Sequence, residues 1–90
     1  MKLTPEEIEK QLSALSGWKL AGKEISKFYQ FGDFKEAMDF VNRLAEEAEA
    51  MDHHPDILIR YNRVELTLST HSEGGLTEKD FRLAKKIDRL

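Results

Sequence analysis

The sequence contains no cysteine among its 90 residues. That absence excludes disulfide bonds, thiol nucleophiles, zinc ribbons and iron–sulfur clusters together. Proline and glycine are also few, at two and five residues, and 40% of the residues are hydrophobic, so the composition is not that of a disordered chain. A chain of this length buries roughly 60 to 65% of its unfolded surface. We therefore expect one domain over residues 1–90, with a thin core that favours self-association.

Neither sign of charge dominates, since 14 basic and 17 acidic residues leave a net charge of −3. The sequence therefore lacks the basic patch that nucleic acid or an anionic membrane attracts. No apolar run approaches the ~20 residues that a membrane-spanning helix needs, and the opening MKLTPE lacks the apolar stretch of a signal peptide. We expect a cytoplasmic protein with neither nucleic acid nor membrane as a partner.

Helix start signals occur three times, each an N-cap residue followed three positions later by an acid, in the pairs Thr4/Glu7, Asp33/Glu36 and Thr77/Asp80. The second signal begins the longest predicted helix, whose apolar residues recur at a period of about 3.6. This helix must end near Met51, because Pro55 biases the residue before it away from helical geometry. We expect the terminal helix to bury the stripe Phe81, Ala84, Ile87 and Leu90.

Two strand pairs separate the three helices. Residues 18–21 and 24–31 flank a turn at 22–23, although their apolar residues do not alternate strictly. Residues 57–61 and 64–68 alternate regularly around a predicted turn at 62–63, where asparagine tolerates left-handed geometry. The order of helix, strand pair, helix, strand pair and helix predicts a two-layer α+β fold, in which about three helices pack on one face of a four-stranded antiparallel sheet.

All three histidines lie in or beside the second strand pair. If residues 62–63 form the turn, Tyr61 pairs with Val64, and His54 stands opposite His71. Directly opposed Cβ atoms lie about 4.5 to 5.5 Å apart. A longer loop shifts this pairing by a residue or so and still leaves one histidine of the 53–54 pair near His71. We therefore expect three imidazoles at the open end of the hairpin.

The expected cluster combines His53, His54 and His71 with the nearby acids Glu49 and Asp52. Imidazole has an unperturbed pKa near 6.5, so such a cluster can hold one ring as an acid and another as a base at neutral pH. Zinc binding is the competing hypothesis, because these side chains are possible zinc ligands. The spacing argues against zinc, since adjacent histidines in an extended chain point to opposite sides.

A longer pattern runs through this cluster, Glu49-x₃-His53-His54-Pro55-x₅-Tyr61-x₉-His71-x₈-Asp80. It resembles the signature of the pterin-4a-carbinolamine dehydratases, and the wider resemblance covers nearly the whole chain. The resemblance implies a four-stranded antiparallel sheet with helices on one side. It also implies dehydration of 4a-hydroxytetrahydropterin to quinonoid dihydropterin and water, a step in tetrahydrobiopterin recycling, with no metal or organic cofactor and with homodimers or homotetramers.

The resemblance also implies roles for the histidines. His53 and His71 resemble the acid–base residues of the family, and His54 resembles a ligand of the leaving hydroxyl. Which ring performs which step is left open by the sequence. Tyr61 lies at the far end of the predicted hairpin, so we interpret its place in the signature as structural.

Five further residues are candidates for supporting roles. Asp52, Ser69 and Thr70 flank the cluster and are predicted to bind the polar edge of the pterin through side chain or backbone. Glu49 is predicted to orient His53, with a solvated position on the helix face as the alternative. Asp80 matches the final acid of the signature, and it also occupies the third position of the last helix, where a carboxylate is favourable.

Two alternative functions follow from the same family. In animals the family resembles a dimerisation partner of a homeodomain transcription factor, so this chain could act as an interaction protein. Members of the family also suggest action on a different pterin, for example in molybdopterin metabolism. The sequence does not distinguish these readings from pterin recycling.

Overall fold

One four-stranded antiparallel sheet forms the centre of the computed structural model, which describes residues 1–90. Its strands are β1 (Lys19–Ala21), β2 (Glu24–Gln30), β3 (Asp56–Arg60) and β4 (Arg63–Leu68), in the spatial order β1-β2-β4-β3. Three helices pack on one face, α1 (Pro5–Ser13), α2 (Phe34–Met51) and α3 (Glu78–Asp88). The predicted α+β fold is confirmed.

The core lies between the sheet and helices α2 and α3. Strand β4 supplies its centre, because Val64, Leu66 and Leu68 alternate with more exposed residues and are fully buried. The helices contribute a second set of buried side chains, among them Ala37, Phe40, Val41, Leu44, Ala48, Phe81, Leu83, Ala84 and Ile87. Helix α1 has no fully buried residue and covers one margin of this core with half-buried apolar side chains. The two layers place the ends of α2, β4 and the start of α3 beside one another.

All three predicted helix starts form. Thr4 and Thr77 each begin a capping box, and Asp33 accepts a hydrogen bond of 2.9 Å from the amide of Glu36. In the first box, hydrogen bonds from the backbone and then the side chain of Thr4 lower the pKa of the Glu7 carboxyl. These caps fix where each helix begins.

Helix α2 ends at Met51, as its sequence predicts, and Asp52 follows in left-handed geometry with φ of 50°. Neither α2 nor any other helix combines the length and apolar character needed to cross a bilayer. At the other terminus the predicted burial of Leu90 is wrong. Helix α3 ends at Asp88, so Leu90 lies beyond the buried stripe and is 39% exposed.

The second hairpin has a different register from the predicted one. Arg60 pairs with Arg63, so the turn consists of Tyr61 and Asn62 and not of residues 62–63. Asn62 is held by the neighbouring strand instead, because its Nδ2 donates to the carbonyl of Phe31 at 2.9 Å and its carbonyl accepts from the Phe31 amide at 2.8 Å. The left-handed position passes to Tyr61, with φ of 52°. This tertiary contact overrides the local preference of asparagine for the turn position.

Strand β2 explains the imperfect alternation of the first strand pair. Ile25, Lys27 and Tyr29 share the inward face, while Phe28 points outward and is 61% exposed. The inward lysine keeps its charged end paired, since its Nζ lies 2.9 Å from Oδ1 of Asp88. The strand is therefore regular, and its inward polar residue masks the period of two.

Candidate active site

A polar cleft of about 300 Å³ lies at the open end of the second hairpin. Residues 52–55 before β3, residues 69–72 after β4 and the start of α3 form it. Its lining consists of polar side chains, contributed by Asp52, His53, His54, Ser69, Thr70, His71, Ser72 and Lys79. Six of the eight predicted site residues are in this lining, and the other two contact histidines within it.

The end of helix α2 fixes the backbone of His53. Asp52 takes the left-handed conformation, and the amide of His53 turns back to the carbonyl of Ala48 at 3.0 Å. This is the arrangement of a Schellman motif, which satisfies the last carbonyls of a helix. Pro55 then prevents the helix from continuing. The chain consequently leaves α2 with His53 directed into the protein and His54 directed towards solvent.

His53 is paired with a buried carboxylate. Its Nε2 lies 2.6 Å from Oδ1 of Asp80, whose side chain is completely buried. The other oxygen of Asp80 accepts from the Thr77 amide at 2.9 Å and from the Thr70 hydroxyl at 2.8 Å. Asp80 therefore serves in the capping box of α3 and contacts His53 at the same time.

His54 forms a second histidine–acid pair, in a different environment. Its Nε2 is hydrogen bonded to Oε2 of Glu49, and the two side chains are 53% and 77% exposed. The sequence predicted that Glu49 would orient His53, and the structure corrects this. The carboxylate of Asp80 occupies the position beside His53, and Glu49, in the last turn of α2, reaches the solvent-facing ring of His54 instead.

His71 begins a single 3₁₀ turn, His71–Glu73, directly after β4. The turn is closed by Gly74, which has a φ of 71° and donates its amide to the His71 carbonyl at 3.1 Å. Thr70 and Gly75 form an isolated antiparallel bridge across the base of this loop. His71 is exposed at the cleft, so the histidines range from buried to exposed within one site.

The predicted substrate-binding residues differ in what their side chains contact. Asp52 lines the cleft at the end of α2. Ser69 also lines it, but its Oγ donates to the carbonyl of Lys23 at 2.8 Å and so fastens the β1–β2 turn to the site. Thr70 is buried, and its hydroxyl is committed to Asp80 and Thr77. The Thr70 hydroxyl is therefore placed to hold Asp80.

Sequence reasoning missed Ser72, Thr77 and Lys79 as parts of the site. Ser72 and Lys79 line the cleft, and Thr77 contributes both its amide and its hydroxyl to the surroundings of Asp80. The capping pattern at Thr77 placed Thr77 and Lys79 at the start of a helix, but it contained no information on where that helix packs. Apart from the histidines, Lys79 supplies the cleft's one basic side chain.

The arrangement of the histidines in the cleft is suited to proton transfer. Three imidazoles share one cleft: His53 is paired with Asp80, His54 is paired with Glu49, and His71 is exposed. No group of three His, Asp or Glu side chains is arranged to hold a metal ion. The arrangement can supply an acid and a base on a small bound molecule.

Comparison with known proteins agrees with this arrangement. Residues 1–90 match the sequence profile of the family described as pterin 4 alpha carbinolamine dehydratase. The chain belongs to the pterin-4a-carbinolamine dehydratase family. This confirms the resemblance seen in the sequence, and the dehydratase family is one that binds pterins.

Individual relatives are similar along almost their whole length. A protein of Acidobacterium capsulatum is 57% identical over 89 residues, which cover 99% of this chain and 97% of the relative. A protein of Sulfolobus acidocaldarius is 49% identical over 90 residues, covering 100% and 99%. Both relatives are named as pterin-4-alpha-carbinolamine dehydratases on a provisional basis.

Solved structures of the family share the fold. A crystal structure described as a transcriptional coactivator/pterin dehydratase from Brucella melitensis has a TM-score of 0.95 and 41% identity, covering 99% of this chain and 97% of that one. A pterin dehydratase-like protein identified as a RuBisCO assembly factor in the alpha-carboxysome has a TM-score of 0.69 and 26% identity, covering 81% and 87%. The fold of the family thus occurs in proteins with different described roles.

Proposed function

We propose that this protein dehydrates 4a-hydroxytetrahydropterin to quinonoid dihydropterin and water, as a hydro-lyase of tetrahydrobiopterin recycling. One observation carries the proposal, the presence of His53, His54 and His71 in a single polar cleft of a chain that belongs to the dehydratase family. The reaction needs an acid and a base close together, and imidazole provides both near neutral pH.

The proposed step breaks the bond between C4a and the hydroxyl oxygen. The hydroxyl departs with the bonding electron pair and is protonated to water by one imidazolium. A second imidazole accepts the proton of a pterin ring nitrogen, whose electron pair completes the new double bond. Protons and electrons balance, because one proton is donated and one is taken up in each turnover.

The different environments of the histidines support a division of labour. We assign acid–base exchange to His53 and His71, and contact with the leaving hydroxyl to His54. His53 is buried on Asp80, whereas His71 is open to solvent and can exchange protons with water. Asp52 and Ser69 lie in the same lining, and we assign them to the polar edge of the pterin.

A coupled assay tests the proposal. A phenylalanine hydroxylase generates 4a-hydroxytetrahydropterin in the presence of a chelator, and the protein is added as wild type, His53→Ala, His71→Ala or the surface control Asp39→Ala. We expect wild type and control to accelerate dehydration equally, and each histidine variant to lose about 10² to 10⁴-fold in rate. Equal rates in all four proteins would refute the assigned roles.

The same assay separates pterin recycling from action on another pterin. A folded wild-type protein that leaves 4a-hydroxytetrahydropterin unchanged would contradict the recycling function. Pterins with other side chains would then be the next substrates to test. The cleft itself, with its polar lining, would remain the site to examine.

A second candidate function is the binding of a protein partner. The descriptions of the two solved relatives as a coactivator/dehydratase and as a RuBisCO assembly factor favour it. Affinity capture from the source organism with wild type and His53→Ala/His71→Ala tests it. A stoichiometric partner captured equally by both proteins supports a role independent of catalysis, whereas capture of no partner opposes it.

We also propose that the chain forms a homodimer or homotetramer. Large apolar side chains remain exposed on the outer face of the sheet, where Phe28 on β2 and Leu58 on β3 flank Glu65 of β4. Their exposure supports burial against another copy. Light scattering at micromolar concentration tests this, and a monomer would overturn it.

A further inference from the structure

A chain of hydrogen bonds runs behind His53 and ends on the buried carboxylate of Asp80. The amide of Lys79 lies 3.3 Å from Oγ1 of Thr77, which lies 2.8 Å from Oγ1 of Thr70. Thr70 Oγ1 lies 2.8 Å from Oδ2 of Asp80, and Oδ1 of the same carboxylate faces Nε2 of His53 at 2.6 Å. The four side chains in this series, those of His53, Thr70, Thr77 and Asp80, are all buried.

The chemistry of the groups fixes the direction of each bond. An ionised carboxylate only accepts, so the single hydroxyl proton of Thr70 points at Asp80. The bond between the two threonines must then be donated by Thr77, whose own oxygen accepts from the Lys79 amide. The backbone amide of Thr77 adds a second donor to Oδ2 of Asp80 at 2.9 Å. The Thr70 hydroxyl and the Thr77 amide therefore both donate to Oδ2 of Asp80, which leaves Oδ1 facing His53.

This polarity determines which nitrogen of His53 carries a hydrogen. Because Oδ1 of Asp80 is an acceptor, Nε2 of His53 is the donor in their bond. Nδ1 forms no hydrogen bond within the chain, and no fully buried side-chain nitrogen or oxygen lacks a partner, so Nδ1 retains some contact with solvent, and His53 lines the cleft. In its neutral form His53 thus presents a lone pair to the cleft.

We propose that Thr70, together with the amide of Thr77, is a positioning residue that fixes Asp80 as an acceptor towards His53, so that His53 exchanges its proton with the substrate through Nδ1. The role of Thr70 in catalysis rests on the proposed function, which supplies the substrate. The orientation of His53 does not depend on that function. When Nδ1 takes a proton from the pterin, His53 becomes an imidazolium whose Nε2–H remains on Asp80. The Nδ1 proton returns to the leaving hydroxyl or to water before the next turnover.

Replacing Asp80 with asparagine gives a specific result under this proposal. The two donors at Oδ2 select the amide oxygen of the new side chain, which turns its NH₂ group towards His53. Nε2 must then accept, and the hydrogen of neutral His53 moves to Nδ1. If the donors at Oδ2 did not select the oxygen, the asparagine could turn its oxygen towards His53, Nε2 would remain the donor and the tautomer would not change.

The experiment uses ¹⁵N-labelled histidine in the full chain. NMR reads the tautomer of His53 at a pH high enough for its ring to be neutral. We expect the Nε2–H form in wild type, the Nδ1–H form in Asp80→Asn, and a mixture in Asp80→Asn/Thr70→Val, where one selecting donor is gone. Thr67→Val, a threonine on the outer face of β4, is the matched control and should match wild type. An Nδ1–H wild type, or an Asp80→Asn protein that keeps Nε2–H, would overturn the proposal.

Activity supplies the second measurement. In the dehydratase assay Thr70→Val should lose about tenfold in kcat with KM nearly unchanged, and Thr70→Ser, which keeps the hydroxyl, should retain the wild-type rate. Equal kcat for both variants would show that Thr70 has no positioning role. If Asp80→Asn does not fold, the tautomer of His53 in the wild type and the kcat values of Thr70→Val and Thr70→Ser still test the proposal. An inactive wild type with the expected tautomers would contradict the proposed function alone.

Discussion

The indole Nε1 of Trp18 donates a hydrogen bond of 3.0 Å to Oδ2 of Asp88, the last residue of α3. The other oxygen of Asp88 accepts from Lys27 and from the hydroxyl of Tyr29. An acid at the C-terminal end of a helix is unfavourable for the helix dipole. Here it is offset by the lysine and by two hydrogen-bond donors, and it joins the first strand pair to the last helix.

Asp88→Ala should destabilise the protein by about 2 to 3 kcal/mol, because it leaves the buried Trp18 indole and the Tyr29 hydroxyl without their acceptor. For a domain of this size that corresponds to a fall in Tm of about 10 to 20 °C, measured by thermal unfolding. The control Asp39→Ala breaks the exposed pair with Lys35 and should cost about 0.5 kcal/mol or less. Equal Tm values for the two variants would contradict a structural role for Asp88.

Stability should also depend on Tyr29 at alkaline pH. Burial, followed by the hydrogen bond and the charge of Asp88, raises the pKa of the Tyr29 hydroxyl far above its ordinary value. Above pH 10 the unfolded chain loses this proton while the native chain keeps it, so the free energy of unfolding falls as pH rises. Below pH 10 the contribution is complete. Complete protection gives about 1.4 kcal/mol per pH unit, and the half-buried Tyr29 should give less.

Denaturant titrations between pH 9 and pH 11.5 measure this effect. Tyr29→Phe should lose part of the alkaline slope, whereas Tyr61→Phe should keep it, since Tyr61 is 66% exposed in the hairpin turn. Identical slopes for wild type and Tyr29→Phe would show that the tyrosine has the same proton affinity in both states.

The two histidine–acid pairs should respond differently to loss of the acid. Glu49 and His54 are both solvated, and exposed pairs contribute little. Glu49→Gln should therefore keep kcat/KM within about fivefold of wild type, as should the control Glu46→Gln on the same helix. A loss of about 10²-fold or more in Glu49→Gln alone would place Glu49 in the catalytic machinery.

The two adjacent glycines after the His71 turn should differ in their tolerance of alanine. Gly74 has a φ of 71°, so Gly74→Ala should cost about 1 kcal/mol although open space surrounds the position. A Cβ on Gly75 would lie 2.7 Å from Cδ of Lys2, a flexible side chain that can move aside, and Gly75 is not left-handed. Gly75→Ala should therefore cost less than Gly74→Ala in chemical denaturation, and the reverse order would refute the argument.

The helix caps and the location of the cleft could be predicted from sequence because they depend on short spacings. The pairs Thr4/Glu7 and Thr77/Asp80 form as expected. The hairpin register is shifted, but the histidines still meet. They lie on the two segments that flank the open end of the hairpin and not in its paired positions. A cluster in that position tolerates an error of register.

The partners of individual side chains could not be predicted, because they depend on contacts between distant segments. Asn62 takes the second position of the turn and not the first, and it binds Phe31, the residue directly after β2. Lys27 faces inward, where it forms an ion pair with Asp88 at the end of α3. Asp80 lies beside His53 only once α3 packs against the end of α2, and no local pattern around residue 53 or residue 80 shows this.

The double use of Asp80 has a dynamic consequence. Because the same carboxylate closes the first turn of α3 and holds His53, fraying of that turn releases the imidazole as well. Opening of the site and opening of the helix end are therefore one local unfolding event. Hydrogen exchange of the Asp80 amide, which is bonded to the carbonyl of Thr77, reports how often the protein visits a state in which His53 is no longer held by its acid.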